Sequence, residues 1–341
     1  MKIDLRSDTL TKPTQGMLEA MMNAEVGDDV YKEDPTINAL EEKLAHLFGM
    51  DAALYFPTGT MTNQAAIKIH TQPGEQLIAD KYAHVYNYEG GGISFNSGVS
   101  SKLVDGHRGM ITAEQVEESI NPPDFYHSAL TSLVCLENTT NKGGGACYDF
   151  REILKIRKVC DDHGLGLHLD GARLWNALVA TDESPQDYGA VFDTISVCLS
   201  KGLGAPMGSV LLGKKRFMDK AMRVRKVLGG GMRQVGFAAA AGLYALDHHW
   251  KRMEEDHKRA KELAEALSNN PQVAHVEPVE TNILIFKLKE HVQEAVFLST
   301  LTDADIHISS MGKGKLRMVT HYDYTAAMHD EVLEVLKEKV A

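Results

Sequence analysis

Two short stretches, LHLDGAR at residues 167–173 and VCLSKG at residues 197–202, decide which fold this chain can adopt. Each is an apolar, strand-like run that ends in polar side chains: Asp170 in the first, Ser200 and Lys201 in the second. Open parallel sheets bind ligands in the crevice at the carboxyl ends of their strands. We therefore expect Asp170 and Lys201 to project toward one crevice.

The functional groups of this pair indicate which chemistry it can perform. A lysine in a crevice can form a Schiff base with an aldehyde, and a carboxylate can keep a pyridinium nitrogen protonated. When each residue is considered alone, a structural aspartate and a surface lysine are the commoner outcomes. The order of aspartate, helix, strand and Ser-Lys-Gly favours pyridoxal phosphate as the ligand.

A phosphate group needs its own binding site, and the stretch PTGTMTN at residues 57–63 offers one. It places Gly59 and Thr60 at the start of a predicted helix, where free N–H groups and the helix dipole attract an anion. Glycine–threonine turns also begin helices that bind nothing. Together with Asp170 and Lys201, however, this turn supplies the third part that the cofactor requires.

The sequence around these motifs alternates between strands and helices. A helix is predicted over residues 149–164, where Gly164 ends it, between two apolar runs. Strand, helix and strand at this spacing predict an α/β fold with a mostly parallel sheet covered by helices. The predicted strands are LIAD (77–80), KLVD (102–105), TSLVCLEN (131–138), LGLHLD (165–170), TISVCLS (194–200) and SVLLG (209–213).

The length of 341 residues suits one large and one small domain. A long helical stretch covers residues 234–268, and we place the hinge between the domains in its middle. The predicted large domain is 1–246, including the N-terminal arm, and the predicted small α+β domain is 247–341. The small domain should contain TNILIFKL (281–288), a helix near 291–302, KLRMVTH (315–321) and a helix over 325–339.

Composition restricts the function classes. With 43% hydrophobic and 24% charged residues the chain is typical of a globular protein, and its formal charge of −11 argues against nucleic acid as a partner. The opening MKIDLRSDTLTK has no apolar core of a signal peptide, and no apolar run is long enough for a membrane span. We therefore expect a cytoplasmic protein without a membrane partner.

Several other patterns carry no function. The chain has no GxGxxG, and GSVLLGKK (208–215) has Lys215 where a nucleotide-binding loop needs Ser or Thr. HHWKRMEEDH (248–257) lacks the HExxH order, so no metal site is predicted. The cysteines show no CxxC spacing, and we interpret them as small hydrophobic residues rather than disulfide partners or metal ligands: Cys135, Cys147, Cys160 and Cys198.

Nine stretches, in order along almost the whole chain, resemble the low-specificity L-threonine aldolase family. That family is a group of pyridoxal-phosphate enzymes, and it has the fold type I of aspartate aminotransferase. The resemblance implies a mostly parallel central sheet of the seven-stranded type and a smaller C-terminal α+β domain. The stretches are LRSDTLTKPT, VGDDVYKEDPT, FPTGTMTN, HVYNYEGGG, LENTTNKGG, HLDGAR, CLSKGLGAPMGS, RKVLGGGMRQ and RMVTH.

The resemblance also assigns expected roles to residues. Lys201 matches the Schiff-base lysine, Asp170 the partner of the pyridine nitrogen, and His84 the imidazole stacked on the cofactor ring. Either His84 or His127 would be the catalytic base. The remaining expected cofactor contacts are Thr58, Gly59, Thr60, Arg173, Ser200, Lys226 and Arg233, and the expected substrate contacts are Ser7, Tyr31, Arg173 and Arg317.

The reaction that the resemblance implies is cleavage of the Cα–Cβ bond of L-threonine or L-allo-threonine to glycine and acetaldehyde. A β-eliminating lyase, or another pyridoxal-phosphate enzyme that acts at Cα, is the alternative, since the same Lys-Asp pair serves all of them. A catalytically silent protein that binds pyridoxal phosphate is the second alternative. Because Lys226 and Arg233 resemble contacts from a neighbouring subunit, a homodimer or homotetramer is expected, with active sites at the interface.

Overall fold

The computed structural model describes residues 2–338, in which strands and helices alternate over most of the chain. The strands are β1 (Ile3–Asp4), β2 (Ala52–Phe56), β3 (Gln76–Asp80), β4 (Ser100–Val104), β5 (Thr131–Glu137), β6 (Gly166–Gly171), β7 (Thr194–Cys198), β8 (Ser209–Gly213), β9 (Val273–Val276), β10 (Ile283–Leu288), β11 (Ile306–His307), β12 (Ser309–Gly312) and β13 (Lys315–Val319). The helices are α1 (Gln15–Met22), α2 (Pro35–Phe48), α3 (Gly59–His70), α4 (His84–Asn87), α5 (Ala113–Glu118), α6 (Phe150–His163), α7 (Leu174–Ala180), α8 (Pro185–Val191), α9 (Lys215–Val227), α10 (Gly236–His248), α11 (Met253–Ser268), α12 (Glu294–Asp303) and α13 (Ala326–Glu338).

A seven-stranded sheet in the order β2-β8-β7-β6-β5-β3-β4 forms the centre of the molecule. The five strands from β7 to β4 are parallel, whereas β8 runs antiparallel to both of its neighbours. Every residue of β3, β7 and β8 is buried, as expected for strands with helices on both faces. The predicted fold class, α/β with a mostly parallel seven-stranded sheet, is confirmed.

Helix α6 shows how the local sequence builds this fold. Asp149 caps its N-terminus by accepting a hydrogen bond from the Arg151 N–H, and Gly164 ends it in the left-handed region at φ 68°. Its buried residues, Ile153, Ile156 and Cys160, lie at helical spacing and face the core. The helix predicted over 149–164 therefore forms within one residue of its predicted limits.

The C-terminal part of the chain forms a second, antiparallel sheet in the order β12-β13-β10-β9, with its own apolar core. The N-terminal arm joins this part: β1 pairs with β11, and Ile3 and Leu5 are buried in the same core. The sequence prediction placed this arm with the large domain, because no local pattern reveals a strand pairing across the whole chain. The domain boundary at 246/247 stays a prediction.

The helical stretch predicted over 234–268 is two helices, α10 and α11, interrupted at residues 249–252. At the break, the His249 Nδ1 lies 2.7 Å from the Leu203 carbonyl oxygen, and the Trp250 ring contacts Trp175 with centroids 5.1 Å apart. The break thus lies near the middle of the stretch, where the hinge was predicted. Leu203, which His249 contacts, belongs to the segment that follows β7. Nowhere in residues 2–338 is a helix long and apolar enough to cross a membrane.

Candidate active site

A cavity of about 300 Å³ lies at the carboxyl ends of the parallel strands. It is built by the turn after β2, the start of α4, and the segments that follow β6 and β7. Asp170 and Lys201 both line it, as expected from the positions of their strands. The other lining residues are Pro57, Thr58, Gly59, Thr60, Asn63, His84, Glu89, Ala172, Cys198, Ser200, Pro206 and Met207.

The N-terminus of α3 forms one wall of the cavity and offers a binding site for an anion. The Thr58 hydroxyl caps the helix by accepting a hydrogen bond from the Met61 N–H at 3.1 Å, which leaves the first N–H groups of the helix available. Position 59 has to be glycine because a Cβ atom there would lie 2.7 Å from the Cys198 Sγ. Glycine at this position therefore lets the start of α3 pack closely against the end of β7.

Asp170 ends β6 and is held by hydrogen bonds from two sides. The Ala172 N–H donates to its Oδ1 at 3.0 Å, and the Asn63 Nδ2 donates to its Oδ2 at 3.0 Å. The side chain is buried, yet it borders the cavity. A carboxylate fixed in this way can hold a positive charge on a ring nitrogen that enters the cavity.

Lys201 presents a free primary amine to the same cavity. Among residues 2–338 its Nζ forms no ion pair, and its one hydrogen-bonding contact is the weak acceptor Cys198 Sγ at 3.9 Å. The backbone of Lys201 is fixed, because its carbonyl oxygen accepts a hydrogen bond from the Thr11 hydroxyl at 3.1 Å. The amine can therefore react with an aldehyde without first breaking a strong contact.

His84 begins α4 and lies between three carboxylates. Its backbone N–H donates to the Glu137 Oε2 at 2.7 Å, and its Nδ1 lies 3.1 Å from the Glu89 Oε1. Burial alone would lower the pKa of His84. The hydrogen bond to Glu89 and the negative charges of Asp170, Glu89 and Glu137 outweigh burial and raise that pKa above its ordinary value.

Glu89 and Glu137 are two site residues that the sequence analysis missed. Glu89 lines the cavity, and Glu137 at the end of β5 is buried. Burial first, and then the charge of Asp170, raise the pKa of Glu137 to about 7. Both residues lie in stretches that resemble the family, HVYNYEGGG and LENTTNKGG, but a glutamate beside glycines or asparagines is usually a surface residue.

Two arginines form a second anion site beside the cavity residues. Arg173, just after β6, donates from its Nε and Nη2 to the buried carboxylate of Asp8 at 2.8 and 2.7 Å. Burial would raise the pKa of Asp8, but the Arg173 charge and hydrogen bonds hold it well below its usual range. Asp8 was not predicted as a site residue, although it directly follows Ser7 in the stretch LRSDTLTKPT.

Arg317 on β13 is the other arginine of this site. Its Nη1 donates to the Asn141 Oδ1 at 2.9 Å and its Nη2 to the Arg6 carbonyl oxygen at 3.0 Å, but its buried Nε has no partner. Burial, and next the positive charge of Arg173, lower the pKa of Arg317. An incoming carboxylate would supply both the missing acceptor and the missing negative charge.

The structure does not bring every predicted site residue to the cavity. The Ser7 Oγ accepts from the Thr9 N–H at 3.2 Å and so caps the turn at Asp8–Leu10. Its neighbour Arg6 contacts Arg317, which places Ser7 close to the arginine site along the chain.

Four further predicted residues lie on exposed surfaces away from the cavity. His127 packs against the rings of Phe125 and Tyr126, at centroid distances of 5.0 and 4.1 Å, in an exposed loop. Tyr31 is 70% exposed and lies under the guanidinium of Arg233, which also pairs with Asp28. Lys226 lines a separate cavity of about 630 Å³ beside α9.

The groups around the first cavity fit pyridoxal phosphate. The N-terminus of α3 with Gly59 suits the phosphate, Asp170 suits the pyridine nitrogen, and Lys201 suits the aldehyde. The imidazole of His84 can stack on the ring. The three groups meet in one cavity, although their positions in the sequence are far apart.

Comparison with known proteins agrees with this site. Residues 4–291 match the beta-eliminating lyase family. The chain is 40% identical to low-specificity L-threonine aldolase 1 of Arabidopsis thaliana over 333 residues, which cover 95% of this chain and 92% of that protein. It is also 40% identical to the low specificity L-threonine aldolase of Escherichia coli strain K12 over 331 residues, 97% of each chain.

Solved structures show the same fold. The Leishmania major threonine aldolase superposes with a TM-score of 0.86 at 22% identity, covering 99% of this chain and 100% of that one. A putative L-allo-threonine aldolase from Listeria monocytogenes gives a TM-score of 0.83 at 23% identity, covering 99% of this chain and 96% of that one. The sequence matches over nearly the whole chain carry the family assignment: the chain belongs to the pyridoxal-phosphate-dependent low-specificity L-threonine aldolases, within the beta-eliminating lyase family.

Proposed function

We propose that this protein cleaves the Cα–Cβ bond of L-threonine, L-allo-threonine and related β-hydroxy-α-amino acids to glycine and an aldehyde. The observation that carries the proposal is one cavity, at the carboxyl ends of the parallel strands, that Lys201, Asp170 and His84 all line. Bound pyridoxal phosphate supplies an electron sink for the electrons released at Cα. The protein must supply binding, orientation and the transfer of one proton.

Orientation is the task that we assign to the two arginines. Arg317 has an unpaired buried Nε, and Arg173, which pairs with the Asp8 carboxylate, places a second positive charge close to it. Both features favour a substrate carboxylate between them. Because the substrate amine is held at the position of Lys201, a fixed carboxylate would determine which bond of Cα is aligned for cleavage.

Proton transfer from the β-hydroxyl is the task that we assign to His84. Of the two predicted bases, His84 lines the cavity, whereas His127 lies in an exposed loop of the same chain. A base has to be unprotonated to act, and the pKa of His84 is raised. We therefore expect kcat/KM to fall as the pH decreases through the pKa of His84.

The assay that tests the proposed reaction compares two sets of products. Incubation of the holoenzyme with L-threonine should release glycine and acetaldehyde in equal amounts. A β-eliminating lyase would instead release ammonia and 2-oxobutanoate, and that result would contradict the proposal. A panel of β-hydroxy amino acids with small and aryl side chains, assayed for the aldehyde, would then identify the preferred substrate.

The enzyme should select the configuration at Cα of the substrate more strictly than the configuration at Cβ. At Cα, the fixed amine and the arginine pair leave one productive orientation, so D-threonine should not be cleaved at a comparable rate. At Cβ, the L-diastereomers differ only in where a hydroxyl and a methyl group lie, and methyl placement is worth roughly 1–3 kcal/mol. Both L-threonine and L-allo-threonine should therefore be substrates.

The measurement is kcat/KM for L-threonine, L-allo-threonine and D-threonine with the same enzyme preparation. A ratio between the two L-diastereomers above roughly a thousand would exceed what methyl placement explains and would require a dedicated hydroxyl site. Cleavage of D-threonine at a similar rate would show that the arginine pair does not select the configuration at Cα.

We propose that the active enzyme is a homodimer or homotetramer whose sites are completed by a neighbouring subunit. Tyr31, Lys226 and Arg233 lie outside the cavity of their own chain, and the surface beside them exposes apolar side chains: Tyr31 is 70% exposed and Val227 is 86% exposed. An isologous contact would place two equivalent sites at one interface. A reducing cytoplasmic location suits the four free cysteines, one of which, Cys198, lines the cavity.

Complementation between inactive variants tests the shared site. Each shared site would take Lys201 from one chain and Arg233 from the other. A hybrid dimer of one Lys201→Ala chain and one Arg233→Ala chain therefore has one site with both substitutions and one intact site. When the two inactive proteins are mixed by refolding, about a quarter of the wild-type activity should return, since half of the dimers are hybrids. No recovery, or full activity of a monomer in light scattering, would contradict a site shared between subunits.

A further inference from the structure

Glu89 forms the centre of a hydrogen-bond network in the wall of the cavity. Its side chain is fully buried, and its two carboxylate oxygens accept three contacts. The Asn63 Nδ2 lies 2.9 Å from Oε1, the His84 Nδ1 lies 3.1 Å from the same oxygen, and the Gln64 Nε2 lies 2.7 Å from Oε2. Every contact to this carboxylate therefore has to come from a donor.

The two amide groups are fixed in the orientation that donates to Glu89. The Asn63 Oδ1 accepts from the Ser196 hydroxyl at 2.7 Å and lies 3.2 Å from the His168 Nε2, so its amide nitrogen faces the two carboxylates Glu89 and Asp170. The Gln64 Oε1 accepts from the Asn96 Nδ2 at 3.2 Å. Glu89 thus cannot move away from His84 without breaking two other hydrogen bonds.

This arrangement determines which ring nitrogen of His84 carries a proton. The Nδ1 faces a carboxylate oxygen and has to donate, so in the neutral imidazole the Nε2 keeps its lone pair. No group within residues 2–338 hydrogen-bonds to that Nε2, and the ring lines the cavity with 31% of its side chain exposed. The free lone pair therefore belongs to the part of the ring that is available to a substrate.

We propose that Glu89 is a positioning residue, which fixes His84 as the Nδ1–H tautomer and so presents its Nε2 as the acceptor of the β-hydroxyl proton. The second half of this statement rests on the proposed aldol cleavage. In that step the O–H proton moves to Nε2, the O–H electron pair forms the second C–O bond of the aldehyde, and the Cα–Cβ electrons pass to the bound cofactor. The imidazolium then faces the Glu89 carboxylate through its Nδ1–H.

The charges around His84 support a role of this kind. Glu89 follows α4, Asp170 comes from β6 and Glu137 from β5, and all three place negative charge near the ring. The Tyr88 ring, at the C-cap of α4, contacts His84, and the Lys142 Nζ lies over the Tyr88 ring. Of the three carboxylates, Glu89 is the one that hydrogen-bonds to the imidazole itself, whereas Glu137 bonds to the backbone N–H.

Imidazole nitrogen NMR tests the tautomer without measuring activity. In histidine-labelled protein without cofactor, at a pH where the ring is neutral, His84 should show a protonated Nδ1 and an unprotonated Nε2. The His84→Gln variant identifies the signal by its absence. His168 provides an internal reference for a neutral ring, because burial lowers its pKa to about 4. A protonated Nε2 on His84 in the wild-type protein would overturn the proposal.

Two variants at Glu89 then separate positioning from general packing. Glu89→Gln keeps the size of the side chain and one acceptor but removes the charge, so kcat should fall about tenfold to a hundredfold with little change in KM. Because the lost charge also lowers the pKa of His84, the acid limb of kcat/KM should move to lower pH. Glu89→Asp keeps the charge at a longer distance, so kcat should fall while the acid limb stays closer to the wild-type position.

An equal loss of rate in both variants with an unmoved acid limb would mean that Glu89 only supports packing, and would overturn the proposal. If the wild-type enzyme releases no aldehyde from any β-hydroxy amino acid, the proposed function fails instead. The NMR result still decides the tautomer in that case, so the two failures can be distinguished.

Discussion

Replacing Lys201 with alanine should abolish both turnover and the covalent adduct between protein and cofactor. The reason is that Lys201 is the only lysine lining the cavity within residues 2–338, and its Nζ has no ion-pair partner. Within the described part of the chain, no other amine is therefore placed to form the Schiff base. The purified variant should lack the yellow absorption band of the wild-type protein, and threonine should yield no acetaldehyde.

An exposed lysine on β4 provides a matched control for this experiment. Lys102→Ala removes the same functional group from the surface and should keep both the absorption band and the activity. Borohydride reduction followed by peptide mapping should label Lys201 in the wild-type protein and in the Lys102 variant. A reducible adduct that persists in Lys201→Ala would show that another lysine forms the Schiff base.

Replacing Asp170 with asparagine should leave the fold intact but lower kcat by roughly a hundredfold or more. The amide is almost isosteric, and its oxygen can still accept the hydrogen bond from the Ala172 N–H. It has no negative charge, however, and so cannot hold a positive charge on the ring nitrogen of the cofactor. The Asn63 Nδ2, which donates to Asp170, would also face a group that can be a second donor.

The measurement for Asp170→Asn is kcat at saturating cofactor, together with the affinity for the cofactor. Asp149→Asn, at the exposed cap of α6, is the control for a loss of one aspartate charge outside the cavity. Turnover close to the wild-type rate with saturating cofactor would remove Asp170 from the assigned role. A large decrease in the melting temperature would indicate a structural effect instead.

The elements that the sequence predicted well are those whose signals are local. The strands β3 to β8 and helix α6 follow from apolar runs, an N-cap and a terminal glycine, each contained within a few residues. The edge strand β2 and the antiparallel direction of β8 were not predicted. A strand's direction depends on the connection that leads to it and on its neighbours in the sheet, so a short apolar run does not reveal it.

The cavity was only partly predictable for a similar reason. Asp170 and Lys201 lie at the ends of apolar, strand-like runs. Because open parallel sheets bind ligands at the carboxyl ends of their strands, the sequence predicts that the two side chains face one crevice. Glu89 and Glu137 could not be identified in this way, because a buried glutamate has the same sequence signature as an exposed one. Their burial becomes understandable only when the donors that satisfy them are seen, such as Gln64 for Glu89 and Asn141 for Glu137.

The sequence by itself thus determined the strands β3 to β8, helix α6 and the two reactive side chains at the ends of β6 and β7. The tertiary structure alone decided that Asp8 would pair with Arg173, that Arg317 would keep an unpaired Nε, and that β1 would join β11. Local elements form because residues that are neighbours in the sequence share a helix or strand propensity and a hydrophobic periodicity. Pairs such as Asp8 and Arg173 form because a buried charge requires a partner, and which partner is near depends on how the whole sheet and both cores pack.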